Sequence, residues 1–510
     1  MRFRKFAASA LAAVMLSASC ILPATAYDEV TPVTPGDVDC NNAVNIADAV
    51  MLARFCAEDA SAGITAQGRL NADLNHDGSI TAEDTAALLR QLANLPAALD
   101  TVTNDLLAGR TLGAAEGIAA DDSFRTAQDS FTVDLLRACQ SRENEQMNSG
   151  GNVLVSPLSV SLALAMTANG AKGQTLSEME TLLGGEMGIE RLNEYYAGWS
   201  KGLKTADIEQ LWTANSVWVK DDADLIHVPE EFLNKVCDYY AAGVYTAPFD
   251  AQTVDDINAW VNTNTHEMIP EVIKELSDEA CMVLINALAF EADWQSPYLY
   301  DTQVGKRNFT NADGTVTEAE MMYDTEYTWL HDDSATGFMK PYAGGKYAFA
   351  AVLPNAGISL DDYLAGLDGE ALNKLLTTAE EREVRTGMPK FSFRFGDSLK
   401  DTLSAMGMPT AFLRYTADFT GLNDAPDTYT WIGDVIHKTF IDVAEQGTKA
   451  AAVTAVIMEA ATSVMNPEEP KQVYLNRPFL FMIVDQETEL PIFIGTVNSM
   501  EDALPENAAE

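Results

Sequence analysis

The sequence predicts an α+β fold for residues 125–500, preceded by a small α-helical module of two like halves over 36–95. Three observations carry this. Apolar residues run at helical spacing first, as over 160–168, and strand-like runs come later, over 347–353 and 479–484. Near the N-terminus, an acid- and amide-rich stretch of twelve residues occurs twice, 36 residues apart. At 510 residues, with 47% apolar and 8% aromatic side chains, the chain holds material for one large core and smaller pieces. Its formal charge of −44 argues against nucleic acid or an anionic membrane as partner, because either would be repelled over most of the surface.

In chain order, Arg2, Arg4 and Lys5 precede an apolar run from Phe6 to Leu22 and the small-x-small triplet Ala24-Thr25-Ala26. That order predicts a secretory signal peptide over 1–26, a mature chain starting near Tyr27, and an extracellular protein with no membrane insertion. Removing three cations takes the formal charge from −44 to −47. A membrane anchor fits less well, because the run is short and polar segments follow. A lipoprotein site at Cys20 lacks the aliphatic residue three positions earlier. Cys40, Cys56, Cys139, Cys237 and Cys281 are odd in number and show no C-x-x-C spacing, so neither zinc nor a disulfide framework is indicated. A Cys40–Cys56 bridge is left open.

After a short linker, 27–35, the two repeats run Asp37, Asp39, Asn41, Ala43, Asp48 and Asp73, Asn75, Asp77, Ser79, Asp84 at loop positions 1, 3, 5, 7 and 12. A hard cation takes six to eight oxygens, which such a loop supplies from side chains and from the carbonyl at position 7. Two calcium ions are expected, with Asn42 and Gly78 at the sharp turns. Short helices are expected to follow, over 49–55 and 85–95, with Arg54 and Arg90 in matching places. This duplication resembles the dockerin module of cellulosome-type enzymes. The resemblance implies a cohesin on a scaffoldin as partner, a cell-surface or cellulosome location and a setting of polysaccharide catabolism. It also implies partner-reading residues at Ile46 and Ala47 and at Ala82 and Glu83, helped by Arg54 and Arg90. The unlike pairs argue against two equivalent binding modes.

Residues 96–124 read as a linker and 501–510 as an acidic tail. Within the large domain, Glu445-Gln-Gly447-Thr448-Lys449-Ala450-Ala451-Ala452-Val453-Thr454 leads into Ile457-Met-Glu459-Ala460-Ala461-Thr462. Alanine content alone allows a helix. Read with period two, Thr448, Ala450, Ala452, Thr454, Val456, Met458 and Ala460 share one uncharged face, while Lys449 and Glu459 take the other, so the run also suits a strand entering a sheet.

The same segment resembles the hinge and reactive-centre loop of inhibitory serpins. Other ordered matches extend the resemblance over about 375 residues: Asn152-Val-Leu-Val-Ser156-Pro157-Leu-Ser159, Asn169-Gly-Ala-Lys-Gly-Gln-Thr175, Asn286-Ala-Leu-Ala-Phe290 with Trp294, Pro389-Lys390-Phe-Ser, Asn476-Arg-Pro478-Phe479 and Pro491-Ile-Phe-Ile-Gly495. It implies helices with three sheets, an exposed bait loop and suicide inhibition of serine proteases by strand insertion, in a monomer with no cofactor for this domain. Ser156, Ser159, Asn286 and His437 fall on shutter positions, Trp294 on the breach, and Lys390 and Glu445 on a hinge ion pair. Family spacing puts the reactive bond at Ala461–Thr462. Small residues there suit elastase-like or subtilisin-like proteases; Met458 or Met465 would instead point to chymotrypsin-like ones.

Two rival functions fit the sequence less well. A dockerin-borne polysaccharide hydrolase would need a recognisable catalytic set, and with 76 acidic residues carboxylate pairs carry no information. G-x-S-x-G, H-E-x-x-H and G-x-G-x-x-G are all missing. A non-inhibitory serpin acting as a binding protein would be expected to carry bulky or charged hinge residues where this chain has Ala450-Ala451-Ala452.

Overall fold

The computed structural model describes residues 35–41, 44–57, 63–74, 80–92, 104–147, 151–203, 209–222, 226–277, 280–426, 428–448 and 469–503. Two compact units divide after Leu92.

The first unit holds helices Ile46–Cys56, Ala66–Ala72 and Ala82–Leu92 around Val38, Ala49, Leu52, Ala72 and Leu88. Both expected helices start three residues early. The cause is visible at the first: the Asn45 side chain accepts from the Ala47 N–H, and Asp48 returns its carboxylate to the Asn45 N–H at 2.9 Å, a reciprocal cap. The middle helix was not anticipated from sequence; Thr65 opens it by accepting the Gly68 N–H at 2.9 Å. Cys40 and Cys56 are free thiols, which closes the disulfide question for this structure.

In the second unit, a seven-stranded sheet runs in the order Asn104–Asp105, Gly243–Ala247, Glu209–Lys220, Met282–Asp293, Gly447–Thr448, Val435–Val443, Phe391–Ser398. A nine-stranded sheet packs with it and includes Tyr347–Pro354, Phe479–Asp485 and Leu490–Val497. These last strands are buried along their whole length rather than alternately, because both faces are covered. The Pro157–Ala168 helix is likewise buried all round, which explains why its apolar residues form no stripe. Lys390 is the corner where the chain leaves strand Glu380–Pro389 of one sheet for Phe391–Ser398 of the other.

Two boundaries differ from the sequence reading. Residues 104–121, expected as linker, belong to the large unit: Asn104 pairs with Thr246, Leu107 is buried, and the N–H groups of Gly113 and Ile118 bond Cys237 and Glu194 carbonyls at 2.7 and 2.9 Å. Gly117 is required there, since a Cβ would lie 2.1 Å from the Gly198 nitrogen. At the other end, Ala503 is buried and its carbonyl accepts from Ser392, so the tail starts later than 501. Among the described residues no helix is long and apolar enough to cross a membrane.

Candidate functional site

The two long central strands of the seven-stranded sheet pair directly only at their lower ends, in parallel, over 284–287 and 435–438. Above Lys438 and Ala287 they part. At the top, Gly447–Thr448 stands between them, Thr448 opposite Ala292 on one side and Val443 on the other. Two strands that share a neighbour are about 9.5 Å apart, twice the normal spacing. Only glycine fits at 447, because a Cβ there would lie 2.1 Å from the Ala292 carbonyl oxygen. The predicted hinge pair is therefore already seated in the sheet rather than exposed.

Trp294 holds this breach. Its indole N–H donates to the Ala444 carbonyl at 2.8 Å and its backbone N–H to the Gln446 carbonyl at 2.7 Å, while its ring stacks on Tyr342 at 4.6 Å. The Tyr342 hydroxyl meets Thr448 Oγ1 at 2.5 Å, with Thr448 buried. Under the rings, buried Lys340 bridges Asp324 at 3.0 Å and Glu326 at 2.7 Å and faces Tyr298 at 4.6 Å. Burial pushes the Glu326 carboxyl up to about 7, against the pull of Lys340. Lys390 bonds both Glu320 at 2.7 Å and Glu445 at 2.8 Å, so the expected hinge pair is a three-group cluster, half-buried. Burial favours neutral Lys390, yet the two carboxylates outweigh it and raise its pKa.

Below the parting, the structure joins all four residues that the resemblance assigns to a shutter. His437 Nε2 accepts the Ser156 N–H at 3.0 Å and its Nδ1 lies 3.0 Å from Asn286 Oδ1, which also accepts the Ser159 hydroxyl at 2.6 Å. An Nε2 that accepts a backbone proton leaves Nδ1 as the protonated nitrogen, so the imidazole is neutral. Burial depresses its pKa to about 3. Asn286 Nδ2 donates to the Ser159 carbonyl and to Asn215 Oδ1 at 2.9 Å. Sequence reasoning missed Asn215, Tyr342 and Lys340. The polar pair Asn215-Ser216 inside an apolar strand was the available signal for the first; nothing local marks the others.

In the small unit, ligand atoms of Asp37, Asp39 and Asp48 all lie within 4.8 Å of one another. Burial and the neighbouring Asp48 charge raise the Asp39 pKa, a repulsion that a hard cation would relieve. Asp48 and Asp84 are buried and grip their loops alike, Asp48 through the Asp39 and Asn45 N–H groups and Asp84 through Leu74 and Thr81. These residues fit an oxygen-ligated cation, with Asp37, Asp39, Asn41 and Asp48 as the described donors of the first loop, Asp73 and Asp84 of the second. Ala43, Asn75, Asp77 and Ser79 lie outside the described residues. Ile46, Ala47 and Arg54 are exposed along the first helix and Ala82 on the third; the side chains of Glu83 and Arg90 are outside the described set. So are Ala450, Ala451, Ala452, Thr454, Ala461 and Thr462.

A buried sheet whose middle strands part, with Gly447–Thr448 seated at the mouth, defines the class of α+β fold. Family comparison agrees: the serpin (serine protease inhibitor) model matches residues 126–500 and the dockerin type I domain model matches 35–93. The chain belongs to the serpin family and carries a dockerin type I domain, a family known to bind calcium. An uncharacterised serpin-like protein of Thermococcus kodakarensis is 31% identical over 388 residues, 74% of this chain and 85% of its own length. The native-state crystal structure of the thermophilic serpin Tengpin is 38% identical, covering 78% of this chain and 100% of its own, with a TM-score of 0.71. The latent state of Tengpin is 37% identical, covers 74% and 98%, and gives 0.64.

Proposed function

We propose that this protein is a secreted, irreversible inhibitor of serine proteases, cut at Ala461–Thr462 and held on a cohesin-bearing, cellulosome-like scaffold by a dockerin carrying two calcium ions. The observation that carries this is Thr448 seated between Ala292 and Val443 at the mouth of a parted sheet.

In this reading the protease serine oxygen attacks the Ala461 carbonyl carbon, the bond to the Thr462 nitrogen breaks, and the new amine leaves with the C-terminal fragment. The remaining ester tethers the protease to a loop that is now free to enter the sheet. Continuing the registers already present at Thr448 brings Thr454 opposite both Asn286 and His437. Entry past Ala452 therefore requires the His437–Asn286 contact and the parallel ladder beneath it to open, and the incoming strand supplies replacement backbone hydrogen bonds, each worth about 0.5–1.5 kcal/mol net. Carrying Ala461 down the sheet moves the protease by roughly 45–50 Å at ~3.3 Å per residue. If that transit beats water to the ester, the catalytic triad is distorted and the ester persists.

Small residues at the bond favour elastase-like or subtilisin-like targets. The test is incubation with subtilisin, elastase, chymotrypsin and trypsin, followed by denaturing gels and sequencing of the released peptide. An SDS-resistant adduct with a peptide starting at Thr462 is expected; cleavage without adduct would make this a non-inhibitory binding protein.

A further inference from the structure

Glu209 opens the strand Glu209–Lys220 and lies opposite Ala292 of the central strand, which has Thr448 opposite it on its other side. Residues directly opposite one another in neighbouring strands send their side chains to one face of a sheet, so Glu209 and Thr448 stand in one row, two strands apart. Both reach the same turn, 342–347. Thr448 meets the Tyr342 hydroxyl at its start, and the Glu209 carboxylate accepts the N–H groups of Lys346 at 3.3 Å and Tyr347 at 3.4 Å at its end. Between these contacts only glycine fits at 344, because a Cβ there would lie 2.1 Å from a Glu209 carboxylate oxygen.

Glu209 is 1% exposed, and burial raises its carboxyl pKa against the pull of the Tyr347, Lys346 and Gly344 N–H groups. The one cation of the turn, Lys346, is directed elsewhere, to Asp485 at 3.1 Å and Glu487 at 3.3 Å. A carboxylate buried on backbone donors alone carries a desolvation cost, and what it supplies here is geometric. The stack on Trp294 and the edge contact with Phe290 at 5.0 Å orient the Tyr342 ring. Its backbone, however, is placed by the turn: the Tyr342 N–H bonds the Tyr347 carbonyl at 3.0 Å, and the Tyr342 carbonyl accepts the Gly345 N–H at 3.0 Å.

We infer that Glu209 is a positioning residue for the hinge: by gripping the backbone of the 342–347 turn from the row that also carries Thr448, it aims the Tyr342 hydroxyl at Thr448 and keeps the mouth of the seam set for strand entry. Glu209 touches neither the hinge nor a protease, and acts only through Tyr342. The link from Glu209 to the seating of Thr448 stands on the geometry of the uncleaved protein. Its bearing on entry rests on the inhibitory reading above.

The test compares the uncleaved full-length protein with Glu209→Leu, Tyr342→Phe and the double variant by hydrogen exchange at Thr448, with Ile494 in the nine-stranded sheet as the reference for global opening. Glu209→Leu is expected to lower protection at Thr448 by roughly three- to thirtyfold and to leave Ile494 unchanged. In the Tyr342→Phe background the same change should lower it no further, because the hydroxyl through which Glu209 acts is already gone. Glu209→Gln, which keeps one acceptor oxygen, should fall between wild type and Glu209→Leu, and it decides the matter if Glu209→Leu does not fold. Wild-type protection in both Glu209 variants would overturn the inference. So would losses that add in the double variant, or an equal fall at Ile494, since either would make Glu209 a general support of the sheet. Against subtilisin, Glu209→Leu should raise the share of protein cleaved without adduct; an unchanged share beside lowered protection would overturn the link to entry. A wild type that forms no adduct at all would instead sink the inhibitory reading, while the exchange cycle still decides the role of Glu209 at Thr448.

Discussion

The Tyr342 hydroxyl and the Thr448 hydroxyl lie 2.5 Å apart, both buried, and Tyr342 is stacked on the Trp294 ring, whose residue bonds the backbone just before the hinge at Ala444 and Gln446. Tyr342→Phe would leave the Thr448 hydroxyl buried without that partner, a loss of about 1–3 kcal/mol. Hydrogen-exchange protection at Thr448 should fall by a factor of roughly 5–100 in the uncleaved protein. Unchanged protection would mean that the ring contacts alone seat the hinge.

Thr448→Arg should turn the inhibitor into a substrate. The side chain would have to be buried at the mouth of the seam, and desolvating an unpaired guanidinium costs several kcal/mol. Cleavage at the bait bond should continue while the SDS-stable adduct disappears on gels; an undiminished adduct would refute the entry order. Gly447→Val should act in the same direction, because its Cβ meets the Ala292 carbonyl.

Ala461→Arg should redirect inhibition toward trypsin, whose specificity pocket wants a cation. The check is the trypsin adduct together with the mass of the fragment beginning at Thr462. Trypsin cleavage at a different bond in this variant would show that the reactive bond has been misplaced.

His437 is neutral in the fold, with a pKa near 3 against 6.5 unfolded, because burial disfavours its charge. The unfolded chain thus binds more protons between these values, so stability is fully present above pH 6.5 and is lost as pH falls toward 3. The contribution is on the order of 4–5 kcal/mol at the acid end. His437→Gln should flatten the melting temperature of the uncleaved protein between pH 4 and 6.5, and parallel slopes for variant and wild type would contradict the assignment.

Chelation should unfold the small unit alone. With calcium removed, the mutual repulsion of Asp37, Asp39 and Asp48 returns, and circular dichroism should lose the low-temperature transition while the serpin transition stays. Calorimetric titration should count two ions in wild type and one in Asp48→Ala. Two ions in the variant would remove Asp48 from the first site.

Much of this was legible in residue order because the relevant constraints are local or periodic. The acid–amide loops repeat in phase, and Gly447–Thr448 is a strand where the period-two reading begins, while the rest of that face lies outside the described residues. His437, Asn286 and the Ser156–Ser159 pair come from three separate segments, and only the family resemblance joined them. Asn215, Tyr342 and Lys340 escaped because their roles arise from strand register and ring stacking between distant segments, which no window on the sequence contains. Residues 104–121 read as linker because a two-residue strand is too short to show periodicity; backbone bonds to 237 and 194 hold the segment instead. The strands 347–354 and 479–485 were found, though covering both faces erased the alternation expected of them.

The uncharged state of His437 has a consequence for the setting in which the protein works. The latch between the two central strands is made of dipoles in a dry interior, where dissolved ions do not reach, so brine should leave the timing of the trap unaltered. The acidic loops of the small unit are bathed by that same medium and must compete for their cation. On the proposed reading, dilution or chelation would free the protein from its scaffold while the seam between its central strands stays latched.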